Sequence, residues 1–466
     1  MLIRFSIENF LSFKERQIFS MLAGKGGRNK AFHVIKKKNT KDVSLLKTAA
    51  IFGANASGKS NLIKAIDFGK QLILEGTDTD KPILFQNFRL DEQTRIGSSR
   101  IEYEIKHKNK NYAYGIVFTK QEIKEEWLYE IDKRGEKLIF ERSESQKFDL
   151  SGLMAKNSKK NEQLFLEFIA KSTPNNQLFL TEIRERRVKE NVTDIEDLLA
   201  VLDWFENVLR IIYPNTKTKG IEFELKQNTE LKKIFSDFLN YADTGIDGIS
   251  LETVDFDKVK LPTELKEIVK NDLLNNKSKL TINNAWVENS AAKLRYIFTK
   301  KSNTDVSVQK MMTKHRIIGE KNAMDYFDIA DESDGTQRII DFIPIFIELL
   351  TEDKVYIIDE MERSLHPNLM YDLIDIFLKK SIGNNSQLIL ATHESTLLTQ
   401  ELLRKDEIGF VAKTEFGASK IYSLEEYDIR FDKQIRKDYL LGRYKAIPRL
   451  GSRNNLFNWK TNNENA

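Results

Sequence analysis

Gly53, Gly58, Lys59 and Ser60 fall at the spacing G-x-x-x-x-G-K-[ST] within LLKTAAIFGANASGKSNLIKAI, residues 45–66. Glycines let a backbone curl until its N–H groups face phosphate oxygens, a lysine supplies a point charge to the β/γ-phosphates, and a serine hydroxyl suits Mg²⁺. A chance match in a Gly-containing turn is the alternative, but an apolar run (Ala49 to Phe52) precedes the loop and a helical pattern (Leu62, Ile63, Ile66) follows it. The nucleotide-binding set is therefore Gly53, Ala54, Asn55, Ala56, Ser57, Gly58, Lys59, Ser60 and Asn61, with Lys59 expected in a solvent-facing cradle. Far along the chain, the apolar run Val355 to Ile358 ends in Asp359 and Glu360. The first carboxylate is placed to hold Mg²⁺ with Ser60, the second to orient or deprotonate an attacking water. A second apolar run, Leu388 to Ala391, ends in Thr392 and His393, where an imidazole could bond a γ-phosphate. Asp331 to Arg338 (DESDGTQR) opens a helical run from Thr336 to Leu350, which reads either as a second anion site or as an ordinary Ser N-cap beside a Gly turn.

These groups need a scaffold of strands feeding helices. Ile3, Phe5 and Ile7 alternate with polar residues, Ile18 to Leu22 gives a second strand, and Ile101 to Phe118 reads as a hairpin in an antiparallel meander closing near Phe140. The basic stretch Lys25 to Lys38 is either a phosphate-contacting loop or a solvated connection. From about residue 150 the period becomes helical. Leu164, Phe165, Phe168 and Ile169 form one face, Ile195 to Leu209 another with Thr193 and Glu196 as a capping box, and Leu231, Phe235, Phe238 and Leu239 a third. Alternation returns at Leu294, Tyr296 and Phe298.

The 466 residues exceed what one core usually holds, about 250 to 300. With 40% hydrophobic and 31% charged residues, the chain is neither disordered nor collagen-like. A net charge of +4 gives no general case for nucleic acid, and the lack of cysteine removes disulfides, thiolate metal sites and cysteine nucleophiles. No run of about 18 apolar residues occurs, so a soluble cytoplasmic protein is expected, without a membrane partner.

GANASGKSNL and VYIIDE resemble the Walker A and Walker B motifs of ABC-type ATPases of the chromosome-maintenance and repair branch (SMC, Rad50, RecF). ESDGTQR resembles their signature, SLHP (Ser364 to Pro367) their D-loop, ATH their switch histidine, and IRFSIENFLSF their opening strand. Nearly the whole chain is similar to the stand-alone "AAA family" ATPases of prokaryotic anti-phage defence loci, of the RloA/AbiLi and PARIS ATPase types, through YADTGIDGI, DESDGT, DEMERSLHP and YLLGRYKAIP as well. Asp334, Thr336 and Met361 depart from transporter-type patterns. The resemblance implies an α/β P-loop NTPase fold with an ABC-type head: a mixed sheet, an antiparallel β-meander and a compact helical insertion. Its parts would be 1–150, a mostly helical 151–290, 291–450, and a polar tail at 451–466.

It further implies a homodimer or higher homo-oligomer, with ATP and Mg²⁺ held by one subunit and capped by the signature of the other (Ser333, Asp334, Gly335, Thr336 and Gln337). Glu360 and His393 would be catalytic. Two functions follow from such a switch: a sensor or scaffold for a separate nuclease or toxin in anti-phage defence, or a RecF/Rad50-like ATPase that binds DNA. The five histidines are scattered and no second metal constellation is legible, so the chain itself is not expected to be the effector.

Overall fold

The computed structural model describes residues 1–24, 30–35, 43–132, 134–156, 159–218, 221–275, 284–289, 294–302, 305–320, 323–428 and 434–448. Most of the basic stretch at 25–38 and the tail at 451–466 lie outside them. Two compact units emerge: residues 1–214, 349–362 and 371–466 form unit 1, and residues 215–348 with 363–370 form unit 2.

Among the described residues, unit 1 holds two large sheets and a two-stranded one, Val34–Ile35 with Leu45–Leu46. The six-stranded one runs in the order Leu209–Ile212, Val355–Asp359, Gln387–Thr392, Thr48–Phe52, Ile408–Lys413 and Ser419–Ser423. Its first five strands are parallel and the last is antiparallel. Every residue of the three central strands is buried, as expected where both faces of a parallel sheet are covered. The second sheet is antiparallel and seven-stranded. It comprises the expected meander, Ser99–His107 to Phe148–Asp149, with Leu2–Glu8 and Gln17–Ser20 added at its edge.

The P-loop helix Lys59–Glu75 buries Leu62, Ile63, Ile66 and Ile73 in one core with Phe5, Ile7, Tyr103 and Ile116 of the meander and Ile51, Ile357 and Ile389 of the parallel sheet. Two apolar faces pin this helix, so the loop preceding it cannot drift.

The fold is α/β with a P-loop core and a meander, but residues 151–290 divide differently from the expected insertion. Lys160–Ser172 and Glu196–Asp203 pack into the core of unit 1, and Leu209–Ile212 joins the parallel sheet beside Val355–Asp359. Lys160–Ser172 presents Leu166, Ile169 and Ala170 to that core, leaving Leu164 53% and Phe168 60% exposed, because the polar Glu162 shares the buried face. The capping box at Thr193 does not form. Both the backbone N–H and the hydroxyl of Thr193 bond to Glu162 Oε2, at 2.6 and 2.9 Å.

Unit 2 combines helices with a sheet. Strands Gly248–Val254, Val306–Arg316, Leu294–Lys300 and Asn284–Asn289 lie side by side, and Met324–Asp328 pairs with Val306–Arg316. Helices Thr229–Tyr241 and Thr263–Asn275 accompany this sheet, and the second shares a core with Tyr296, Phe298 and Val308. Tyr296, Ile297 and Phe298 are all buried, so both faces of that strand are covered.

Candidate phosphate-binding site

The strand Thr48–Phe52 delivers the chain to the C-terminal edge of the parallel sheet, where Ala56 (φ 60°) and Gly58 (φ 118°) turn it into the helix at Lys59. A Cβ on Gly58 would lie 2.3 Å from Ser419 Oγ, so both the conformation and the space demand glycine. Gly58 is also the N-cap and no side chain caps the helix, leaving its first N–H groups to a ligand. Asn55 and Ala56 are exposed at the tip, Ala54 is half-buried, and Gly53 and Ser57 are buried.

Lys59 is only 4% exposed, not solvent-facing. Its Nζ donates to the carbonyls of Gly53 (3.0 Å) and Ala54 (3.4 Å) and lies 2.9 Å from His393 Nε2. Burial pushes this ammonium down to about 8, against the pull of Glu362, Asp359 and Glu360. Partial burial and the neighbouring Lys59 charge lower His393 below the usual imidazole range, so the ring is neutral at pH 7 and can accept from Lys59.

Strand order explains the convergence. Gln387–Thr392 lies between the P-loop strand and Val355–Asp359, with Thr392 opposite Phe52 and Ala391 opposite Asp359. Asp359, the last residue of its strand, is buried, and burial raises its carboxyl while a hydrogen bond from Ser60 lowers it. Its Oδ1 is buried without a hydrogen-bond partner. A desolvated carboxylate oxygen beside a serine hydroxyl is the hard-oxygen donor set that suits Mg²⁺, so the residues fit that ion. Glu360 follows in the left-handed region (φ 50°), with its N–H bonded to Ala391 O at 2.9 Å. Such backbone in a residue other than glycine persists only where its surroundings enforce it.

Several supporting residues escaped the sequence reading. Ser12 accepts at its Oγ from the Nδ2 of Asn61, itself expected at the nucleotide, at 2.8 Å. Ser419 Oγ bonds Ser12 Oγ (2.8 Å) and donates to Ser57 O (2.5 Å), so the loop is braced by residues near both ends of the chain. Glu362 accepts from the Thr392 hydroxyl at 2.9 Å and from the His393 N–H at 2.5 Å.

In unit 2, the helix Asp334–Thr351 begins at the signature segment. Ser333 and Asp334 are exposed, and Ser333 Oγ accepts from the Thr336 N–H at 3.1 Å, an N-cap bond. Thr336 and Gln337 are buried, and Gln337 Nε2 donates to Glu332 O at 2.8 Å, so this glutamine is committed to its own chain. A Cβ on Gly335 would come within 2.7 Å of Ser364 O, which places the SLHP turn against the start of that helix.

A family model described as "AAA domain, putative AbiEii toxin, Type IV TA system" matches residues 49–399. The chain belongs to this family. The match takes in the P-loop, both carboxylates and His393 of this AAA-domain protein. No curated protein sequence matches it. Among solved structures it is similar to the SMC head domain from Thermotoga maritima, with TM-score 0.36 and 11% identity over 92% of this chain and 99% of that one. It is also similar to an Smc head domain with an extended coiled coil bound to the C-terminal domain of ScpA, derived from Pyrococcus furiosus, with TM-score 0.37 and 13% identity over 95% and 99%. No helix among the described residues is long and apolar enough to cross a membrane.

Proposed function

We propose that this protein binds and hydrolyses ATP in the cytoplasm and uses the nucleotide as a switch, acting as a sensor or scaffold for a separate effector in prokaryotic anti-phage defence. The observation that carries the reading is the meeting of Lys59, Asp359, Glu360 and His393 at the ends of three adjacent parallel strands, beside an uncapped helix N-terminus. Backbone N–H groups from Gly53 to Ser60 receive the phosphates, and Lys59 leaves the two carbonyls and His393 to meet them. Ser60 and Asp359 hold Mg²⁺, which when bound offsets the charge of the phosphate oxygens. Glu360 orients the attacking water and accepts its proton, while His393 donates to the γ-phosphate.

The exposed Ser333 and Asp334 support a cap supplied to a second subunit, so that ATP joins two copies and hydrolysis releases them. The toxin and Type IV TA terms in the family description favour a defence role over DNA maintenance. Purified protein should release phosphate from ATP slowly, dimerise in ATP when Glu360 is changed to Gln, and cut neither DNA nor RNA. Toxicity in cells should require a neighbouring gene. ATPase stimulated by DNA in a steeply salt-dependent manner would instead support the DNA-binding alternative, and no ATP turnover under any condition would overturn the reading.

A further inference from the structure

We propose that Glu362 is a positioning residue for ATP hydrolysis: its carboxylate grips the end of the Gln387–Thr392 strand and thereby fixes His393 against the P-loop lysine. The left-handed turn at Glu360 sends the chain back on itself after Asp359, and the fully buried Met361 pins that turn. Glu362 therefore faces the neighbouring strand and spends both oxygens on it, Oε2 on the Thr392 hydroxyl and Oε1 on the His393 N–H. The Thr392 hydroxyl accepts from the Glu394 N–H at 2.9 Å, which commits its own proton to Glu362. Two donors converging on one side chain require a carboxylate. A glutamine accepts at one oxygen and sets an N–H₂ against the second donor. The peptide of His393 is thus fixed in a place that leaves its ring 2.9 Å from Lys59 Nζ.

This inference rests on the ATPase reading, and its test separates the two. In the full-length protein, Glu362→Gln should leave the Kd for ATP within about twofold and lower kcat about tenfold or more, the range for losing a charge-assisted hydrogen bond. Because Glu362 acts through His393, the double variant Glu362→Gln/His393→Ala should turn over no more than about threefold slower than His393→Ala alone. Amide exchange in the peptide spanning residues 388–397 should accelerate in nucleotide-free Glu362→Gln. The near-isosteric Thr392→Val, which removes one of the two donors, should give an intermediate loss of kcat and serves if Glu362→Gln does not fold. Multiplicative losses in the double variant, weakened ATP binding at unchanged kcat, or unaltered exchange at 388–397 would each overturn the proposal. A wild-type protein without ATP turnover would defeat the ATPase reading alone, and amide exchange would then decide whether Glu362 grips the strand.

Discussion

Two long helices of this protein begin at motifs that suggest phosphate, and they begin differently. Lys59–Glu75 starts at a left-handed Gly58, has no side-chain cap and carries no acidic residue in its first turn. Asp334–Thr351 starts with an acidic residue and is capped by its own Ser333. The positive end of a helix dipole attracts anions in both cases, but the second has already satisfied one orphan N–H and placed a carboxylate beside the others. The P-loop is therefore a site that its own chain completes. On the proposed reading the signature edge becomes a site only when another subunit brings phosphate to it.

The strongest way to break this contrast is Lys59→Ala. Calorimetry should show ATP affinity falling more than about a hundredfold, since the charge facing the phosphates is gone. Normal affinity would remove the P-loop from the mechanism. Next in size, Glu360→Gln should keep binding while phosphate release falls by about a hundredfold or more; unchanged turnover would place the base elsewhere. At the signature edge, Ser333→Arg should leave ATP binding by the isolated subunit intact and abolish ATP-dependent dimerisation in sedimentation. Ser333→Ala should cost about 1 kcal/mol of stability through the lost cap. If either change weakens ATP binding by the monomer, the two helix starts belong to one pocket and the contrast fails.

The smallest effect concerns pH. Glu407 directly precedes the strand that flanks the P-loop strand, and its buried carboxyl is raised from 4.5 to about 7, against the pull of His33. The folded state thus holds this proton more tightly than the unfolded chain does. The resulting stability is complete below about 4.5 and lost as pH rises through about 7. Glu407→Gln cannot ionise, so its urea midpoint should fall less than the wild type's across that window.

How legible the molecule is in its sequence depends on how local each signal is. The P-loop, Asp359, Glu360 and His393 each follow directly on an apolar run, so strand and reactive residue are read together. Ser12, Ser419 and Glu362 carry no such pattern. A lone serine gains its role only once the strand order brings residues 12, 57 and 419 together. Glu362 was hidden beside a more conspicuous carboxylate. Thr193 lost its expected cap to Glu162, a competitor 31 residues away. Of the unit 2 sheet only the strand at Leu294 to Phe298 is legible, because Gly248–Val254 and Val306–Arg316 alternate weakly, with Lys310 and Lys314 interrupting the apolar positions.

The parallel sheet draws its strands from residues 48–52, 209–212, 355–359, 387–392 and 408–413, so its order bears on synthesis. As the chain leaves the ribosome, the P-loop must wait for more than three hundred further residues before either neighbouring strand exists. Ser419, whose hydroxyl holds the loop from beneath, arrives later still. Unit 2, drawn almost wholly from residues 215–348, can order itself in the interval. Until residues 387–413 have been made, the P-loop of a nascent chain has no parallel sheet beside it.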